Sequence, residues 1–134
     1  MITPKYVALV EDDPAIAEMY GFGLATAGYK VAAFPDGRSL LASLDIGVPD
    51  LLVLDWMLPS MNADTLLERL RADARTSDLR ILILSNLPGT DHGEIDVAFA
   101  AGVLAWLEKS KTTPACLADR IREALAAREV GASL

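Results

Sequence analysis

The sequence contains short apolar runs that do not alternate with polar residues. Runs of this kind are typical of strands covered on both faces, as in a parallel sheet that lies between two layers of helices. Four of these runs are followed directly by polar residues. The run at 7–10 precedes Glu11, Asp12 and Asp13, and the run at 51–54 precedes Asp55. The run at 81–84 precedes Ser85, and the run at 103–107 precedes Glu108 and Lys109. A fifth run, at residues 29–34, predicts a short second strand.

Helical patterns alternate with these strands along the chain. Pro14, preceded by Asp13 as a possible N-cap, begins the first, and the others start near residues 36, 62, 91 and 113, the last ending near residue 128. The regular alternation predicts five βα units joined by right-handed crossovers. We therefore expect an α/β fold, with one domain over residues 1–134, a core over about 5–128 and a frayed tail at 129–134.

Composition narrows the class of protein. A formal net charge of −7 argues against a nucleic-acid partner, whose binding surface would be basic. The chain has no apolar run of 18 residues, so we expect no membrane span, and the N-terminal residues lack the apolar core of a signal peptide. The single cysteine, Cys116, rules out an internal disulfide. A cytoplasmic location is the resulting expectation.

The polar residues that follow the runs are expected to lie close together, because ligand sites in open α/β sheets form at the carboxyl ends of the strands. Three or four carboxylates, a hydroxyl and an ammonium would then meet at one edge of the sheet. Such a set of groups suits a divalent cation together with a phosphoryl group.

Each of these residues also has a purely structural interpretation. The acidic residues before Pro14 could cap a helix, and Asp55 could begin a turn. Ser85 could be an ordinary loop hydroxyl, Lys109 a solvated lysine, and Trp106 a packing residue. We assign Asp13 mainly to capping, and for the remaining residues the structural and the functional interpretation both stay open at this point.

Over about residues 5–128 the chain resembles the receiver domain of two-component response regulators, in particular single-domain regulators of the chemotaxis type. That family carries, at successive strand ends, an acidic pair, a phosphoacceptor aspartate followed closely by proline, a hydroxyl residue, an aromatic switch residue and a lysine. The matching positions here are Glu11 and Asp12, Asp55, Ser85, Trp106 and Lys109.

The resemblance implies a flavodoxin-like (βα)5 fold with strand order 2-1-3-4-5 and a Mg²⁺ site. Asp12 and Asp55 would be direct metal ligands, Glu11 would act through water, and Met57 would contribute its backbone carbonyl. Asp55 would accept a phosphoryl group from a phosphohistidine on a sensor histidine kinase or phosphotransfer protein, with Lys109 and Ser85 contacting phosphoryl oxygens. The protein would be a phosphoacceptor rather than a conventional enzyme.

The resemblance also implies a switch. Phosphorylation would draw Ser85 inward and let Trp106 rotate, remodelling a face within residues 91–128 that binds a downstream protein or a second copy of the chain. Three positions depart from the common family pattern. Lys109 is followed by Ser110 rather than proline, Trp106 is bulkier than the usual tyrosine or phenylalanine, and Asn86 stands where a small residue commonly follows the hydroxyl.

Two further functions remain possible. A pseudo-receiver would bind partners without phosphorylation, but such modules usually lack an acid or the lysine that this chain retains. A Mg²⁺-dependent aspartyl-phosphate phosphohydrolase would carry a second aspartate two residues after Asp55, where this chain has Met57.

Overall fold

The structure, a computed structural model, describes residues 3–86 and 92–132 of the 134-residue chain. Five strands form one parallel sheet: β1 (Tyr6–Val10), β2 (Lys30–Phe34), β3 (Leu51–Leu54), β4 (Arg80–Ser85) and β5 (Ala105–Glu108). Their order in the sheet is β2-β1-β3-β4-β5. The fold class and strand order expected from the sequence are confirmed.

The described helices are α1 (Pro14–Thr26), α2 (Gly37–Ser43), α3 (Ala63–Ala72), α4 (His92–Ala100) and α5 (Pro114–Ala132), with a 3-10 helix at Lys109–Lys111. Asp13 caps α1 by accepting the N–H groups of Ala15 and Ile16, and Asp36 caps α2 in the same way through Ser39. None of the described helices has the length and apolar character needed to cross a membrane.

Helices cover both faces of the sheet, which explains why the strand sequences do not alternate. One core cluster includes Leu24 of α1 and Ile121 of α5, packed against strand residues such as Val7. The opposite cluster contains residues of α2, α3 and α4, among them Leu40 and Leu67. The buried layers therefore hold the strands in place and leave their carboxyl ends to form a site.

The end of the chain differs from the sequence-based expectation. We expected the last helix to end near residue 128 and a frayed tail at 129–134, but α5 continues to Ala132. Ala126, Ala127, Arg128 and Glu129 all have high intrinsic helix propensity, which favours continuation of the helix past residue 128. Residues 133 and 134 lie outside the described residues, as does Asp91, the expected start of the fourth helix.

α1 lies close to the start of α5 and to the segment before it. The buried hydroxyl of Tyr20 donates to the Thr112 carbonyl at 2.7 Å, which joins α1 to the segment that follows Lys109. A Cβ atom placed on Gly23 would lie 2.3 Å from Cβ of Pro114, so a glycine is needed at this contact.

A single guanidinium joins two loops at the opposite end of the sheet. The Arg71 side chain, on the last turn of α3, donates Nε–H to the Ala101 carbonyl at 2.8 Å and Nη1–H to the Leu79 carbonyl at 2.8 Å. Longer bonds reach the carbonyls of Thr76 and Ser77, both at 3.2 Å. Arg71 therefore ties the connection between α3 and β4 to the end of α4.

Candidate functional site

The expected site residues do meet at the carboxyl edge of the sheet. Asp55 directly follows β3, whose last residue, Leu54, pairs with Val10 at the end of β1. The backbone N–H of Asp55 donates to the Val10 carbonyl at 3.0 Å, so the ladder continues into the site and fixes Asp55 next to Glu11. The two central strands therefore present their acidic residues side by side.

Three carboxylates form the cluster. One carboxylate oxygen from each of Glu11, Asp12 and Asp55 lies within 4.8 Å of the other two. Glu11 and Asp55 are each 4% exposed, whereas Asp12 is exposed to solvent. Hard oxygen donors with one open side, from which water can complete the coordination, are what Mg²⁺ requires, so these residues fit a Mg²⁺ ion.

Lys109 lies between the two buried carboxylates. Its Nζ is 2.5 Å from Oε1 of Glu11 and 3.1 Å from Oδ2 of Asp55, and its side chain is only 9% exposed. Burial lowers the pKa of the Lys109 ammonium, but its hydrogen bonds and charge interactions with Glu11 and Asp55 outweigh this, so the net shift is upward. The lysine therefore stays charged at neutral pH and balances part of the negative charge.

Glu11 shows the cost of burying a carboxylate. Burial raises the pKa of the Glu11 carboxyl, and the neighbouring Asp55 charge adds to the shift. Hydrogen bonds from Lys109 and from the backbone N–H of Asp13 oppose it without reversing it. The charged form of Glu11 is therefore disfavoured, and a cation bound nearby would stabilise it.

Asp55 combines the two interpretations that the sequence left open. Its Oδ1 accepts the backbone N–H of Met57 at 3.1 Å, as in a turn-initiating aspartate, while Oδ2 faces Lys109. The Met57 side chain is 58% exposed beside the site. The role of its backbone carbonyl as a metal ligand stays a prediction.

Ser85 and Trp106, the expected switch residues, lie on neighbouring strands. Ser85 is fully buried and pairs in the β4–β5 ladder with Glu108, the residue before Lys109. Trp106 is half-buried and packs against the core cluster on the side of α2, α3 and α4. Their switching function stays a prediction.

Sequence reasoning missed two residues of this region, Trp56 and Glu94. The indole ring of Trp56, which follows Asp55, lies against that of Trp106, with ring centroids 5.2 Å apart and planes inclined by 52°. Its Nε1–H donates to Oε2 of Glu94 on α4 at 2.5 Å. The position of Trp56 next to Asp55 was an available signal, whereas nothing in the sequence marks Glu94, 38 positions away.

The order, spacing and geometry of these residues agree with the result of comparison with known families. The model of the response regulator receiver domain matches residues 7–122. The chain belongs to this family. As a receiver domain it has a phosphoacceptor signalling role, and its cluster of Glu11, Asp12 and Asp55 fits the Mg²⁺ site of such a domain.

Among its relatives, the receiver domain is 32% identical over 115 residues to the phosphate regulon transcriptional regulatory protein PhoB of Rhizobium meliloti. It is 34% identical over 128 residues to the transcriptional regulatory protein CseB of Streptomyces coelicolor. The alignments cover 86% and 93% of this chain but only 49% and 51% of those proteins. The chain therefore spans about half the length of these curated relatives, which are named as transcriptional regulators.

Solved structures give the same fold. The chemotaxis response regulator CheY4 of Vibrio cholerae superposes with a TM-score of 0.82 at 26% identity, covering 91% of this chain and 99% of that one. A CheY-like receiver domain protein from Methanospirillum hungatei superposes with a TM-score of 0.85, covering 96% of this chain and 99% of that one. Because its sequence identity is only 23%, this similarity supports the fold alone.

Proposed function

We propose that Asp55 is the phosphoacceptor and that a phosphohistidine on a sensor histidine kinase or phosphotransfer protein is the donor. The observation that carries this proposal is the position of the Asp55 carboxylate. It is buried at the end of a central strand, it lies within 4.8 Å of two other acidic ligand atoms, and one of its oxygens contacts the Lys109 ammonium.

In the proposed transfer an Asp55 oxygen attacks the phosphorus atom of the donor. An O–P bond forms, the N–P bond to the donor imidazole breaks, and the imidazole nitrogen keeps the electron pair of that bond. Lys109 is already beside the attacking carboxylate, so a small movement away from Glu11 brings its ammonium to a phosphoryl oxygen. Ser85, at the end of β4, is the proposed hydroxyl donor to another oxygen.

The proposed cofactor is Mg²⁺, held directly by Asp12 and Asp55, through water by Glu11, and by the backbone carbonyl of Met57. When bound, the ion offsets the repulsion between the acidic cluster and the incoming phosphoryl group. Glu11 and Lys109 contribute in the absence of metal as well, because their ion pair fixes the lysine next to Asp55.

The proposed signalling output is binding of a downstream protein or a second copy of the chain. The described part of the expected face covers residues 92–128, which include α4, the segment that leads into β5, β5 itself and most of α5. Val97, Phe99 and Leu104 are about half exposed there, at 46%, 45% and 51%. Exposed apolar side chains on neighbouring elements are typical of a surface that binds protein. We propose that the protein acts through this surface and catalyses only its own phosphorylation and dephosphorylation.

The phosphoacceptor assignment is tested by incubating the protein with acetyl phosphate and Mg²⁺ and measuring the intact mass. We expect one added phosphoryl group that is released by hydroxylamine, as an acyl phosphate should be. Asp55→Asn should abolish the addition, whereas Asp64→Asn, which removes an exposed acid from α3, should not. Equal labelling of the Asp55→Asn protein would exclude this residue.

The same preparation separates the receiver from the pseudo-receiver and the phosphohydrolase. Beryllofluoride mimics an aspartyl phosphate, so a receiver should bind it in the presence of Mg²⁺ and a pseudo-receiver should not. A phosphohydrolase should turn over an added phosphomonoester repeatedly. The exposed Met57 side chain occupies the position where that enzyme class needs a second acid, and we expect no turnover.

A further inference from the structure

Trp56 connects the site to two other elements. It immediately follows Asp55, its side chain is buried, and its ring packs against Trp106 of β5. Its indole N–H reaches the carboxylate of Glu94 in the first turn of α4. A single side chain therefore spans the segment after β3, strand β5 and the start of α4.

The hydrogen bond between Trp56 and Glu94 has physical reasons to be strong. An indole N–H that is buried without a partner is costly, so Trp56 needs an acceptor. A carboxylate is a better acceptor than a neutral oxygen, and the first turn of a helix favours negative charge. Glu94 is exposed and has access to solvent, so it does not bear the full cost of burying a charge.

We infer that Glu94 is a positioning residue, which acts through Trp56 on the segment carrying Asp55 and transmits occupancy of the site to α4. This inference rests on the proposed function, in which Asp55 accepts the phosphoryl group. A ligand at Asp55 changes the environment of the next residue along the backbone, and Trp56 passes any change in its position to Glu94 at a bond only 2.5 Å long.

Coupling of this kind is reciprocal, because any ligand that shifts α4 through the bond is itself affected by the state of the bond. Three substitutions separate the role of Glu94 from that of Trp106. Replacing Trp56 with phenylalanine removes the N–H donor and keeps an aromatic ring against Trp106. Glu94→Gln keeps an acceptor oxygen without the charge, and Glu94→Ala removes the acceptor.

The test is hydrogen exchange of the α4 amides, residues 92–100, with and without Mg²⁺ and beryllofluoride. In the wild type we expect ligand binding to change α4 exchange rates by at least about fivefold. In Trp56→Phe and in Glu94→Ala the ligand-induced change in α4 exchange rates should fall to less than about twofold. The double variant should show the same reduced change as either single variant, because both substitutions break the same bond. Glu94→Gln should retain most of the wild-type change. Asp96→Ala, on the same helix and exposed, is the matched control and should respond like the wild type.

Beryllofluoride binding is measured separately by fluorine NMR, so the two proposals fail differently. A wild-type protein that binds no beryllofluoride contradicts the proposed function and this inference with it. The inference is overturned, and the proposed function left intact, if Trp56→Phe and Glu94→Ala bind beryllofluoride and keep the full α4 response. The same holds if Asp96→Ala loses the α4 response as much as these two variants do.

Discussion

At the scale of single residues, the site places two buried carboxylates against one ammonium. Glu11 and Asp55 share Lys109, and Asp12 adds a third negative charge at the exposed side. Two unit charges about 5 Å apart repel by roughly 3 kcal/mol at an effective dielectric constant near 20. The lysine offsets much of this repulsion but not the cost of taking two carboxylates out of water, so the site without metal is a destabilised part of the molecule.

Asp55→Asn should therefore stabilise the protein when metal is removed. The substitution leaves Glu11 and Lys109 as a balanced pair, and we expect a gain of about 1 kcal/mol, or about 3–5 °C in Tm. Thermal unfolding in EDTA measures it. Adding Mg²⁺ should raise the Tm of the wild type more than that of the variant, and a variant that melts below the wild type in EDTA would contradict the expected relief of repulsion.

At the scale of elements, the contact between α1 and α5 depends on the absence of a side chain at Gly23. Gly23→Ala would place a methyl group against Pro114 and should destabilise the protein by about 1–3 kcal/mol. Gly21→Ala is the matched control on the same helix, where the added Cβ would lie 4.0 Å from Val31. Because alanine favours helix, that variant should gain about 0.5–1 kcal/mol. Urea unfolding of both variants tests the prediction, which fails if their effects have the same sign.

The Arg71 contacts make a second prediction about elements. Arg71→Met keeps the apolar stem but leaves the carbonyls of Leu79 and Ala101 without this donor, and we expect a loss of about 2 kcal/mol. Arg69→Met changes an exposed residue on the same helix and should stay within about 0.5 kcal/mol of the wild type. Similar unfolding midpoints for the two variants would show that the carbonyls find water as an equally good partner.

The elements were predictable from the sequence to the extent that local patterns specify them. Apolar runs identified the strands. The polar residues that follow three of these runs include Glu11, Asp55 and Lys109, which meet at one edge of the sheet. The strand order came from the family resemblance, because no local pattern encodes which strands are neighbours. The end of α5 was missed because the sequence-based boundary followed the apolar stripe of the helix, whereas Arg128 and Glu129 also favour helix through their intrinsic propensity. The contact between Trp56 and Glu94 depends on how α4 docks, which spacing alone does not reveal.

At the scale of the whole molecule, the pH dependence of folding should carry the signature of Glu11. The folded protein raises the pKa of this carboxyl above its usual value of 4.5, so between the two pKa values the folded state binds more protons than the unfolded state. Glu11 therefore makes the protein less stable as the pH rises through this window, and the penalty remains at neutral pH.

The free energy of unfolding of the wild type, minus that of Glu11→Gln, should accordingly fall as the pH rises from about 4.5 towards neutrality. Both proteins are measured by urea unfolding in EDTA at each pH. Lys109 keeps its charge throughout this range because its pKa is raised, so it does not confuse the comparison. A difference that grows with pH would mean that Lys109 stabilises the Glu11 carboxylate more than burial penalises it.

The contact between Trp56 and Trp106 also has an optical consequence. The chain has two tryptophans, and they lie against each other beside Asp55, so its near-ultraviolet emission comes mainly from this one place. The intensity and colour of indole fluorescence respond to nearby charge, to hydrogen bonding and to a neighbouring ring. The two tryptophans therefore act as an intrinsic fluorophore at the site. Their emission should allow binding of a metal ion or a phosphoryl group to be followed in real time without an added dye.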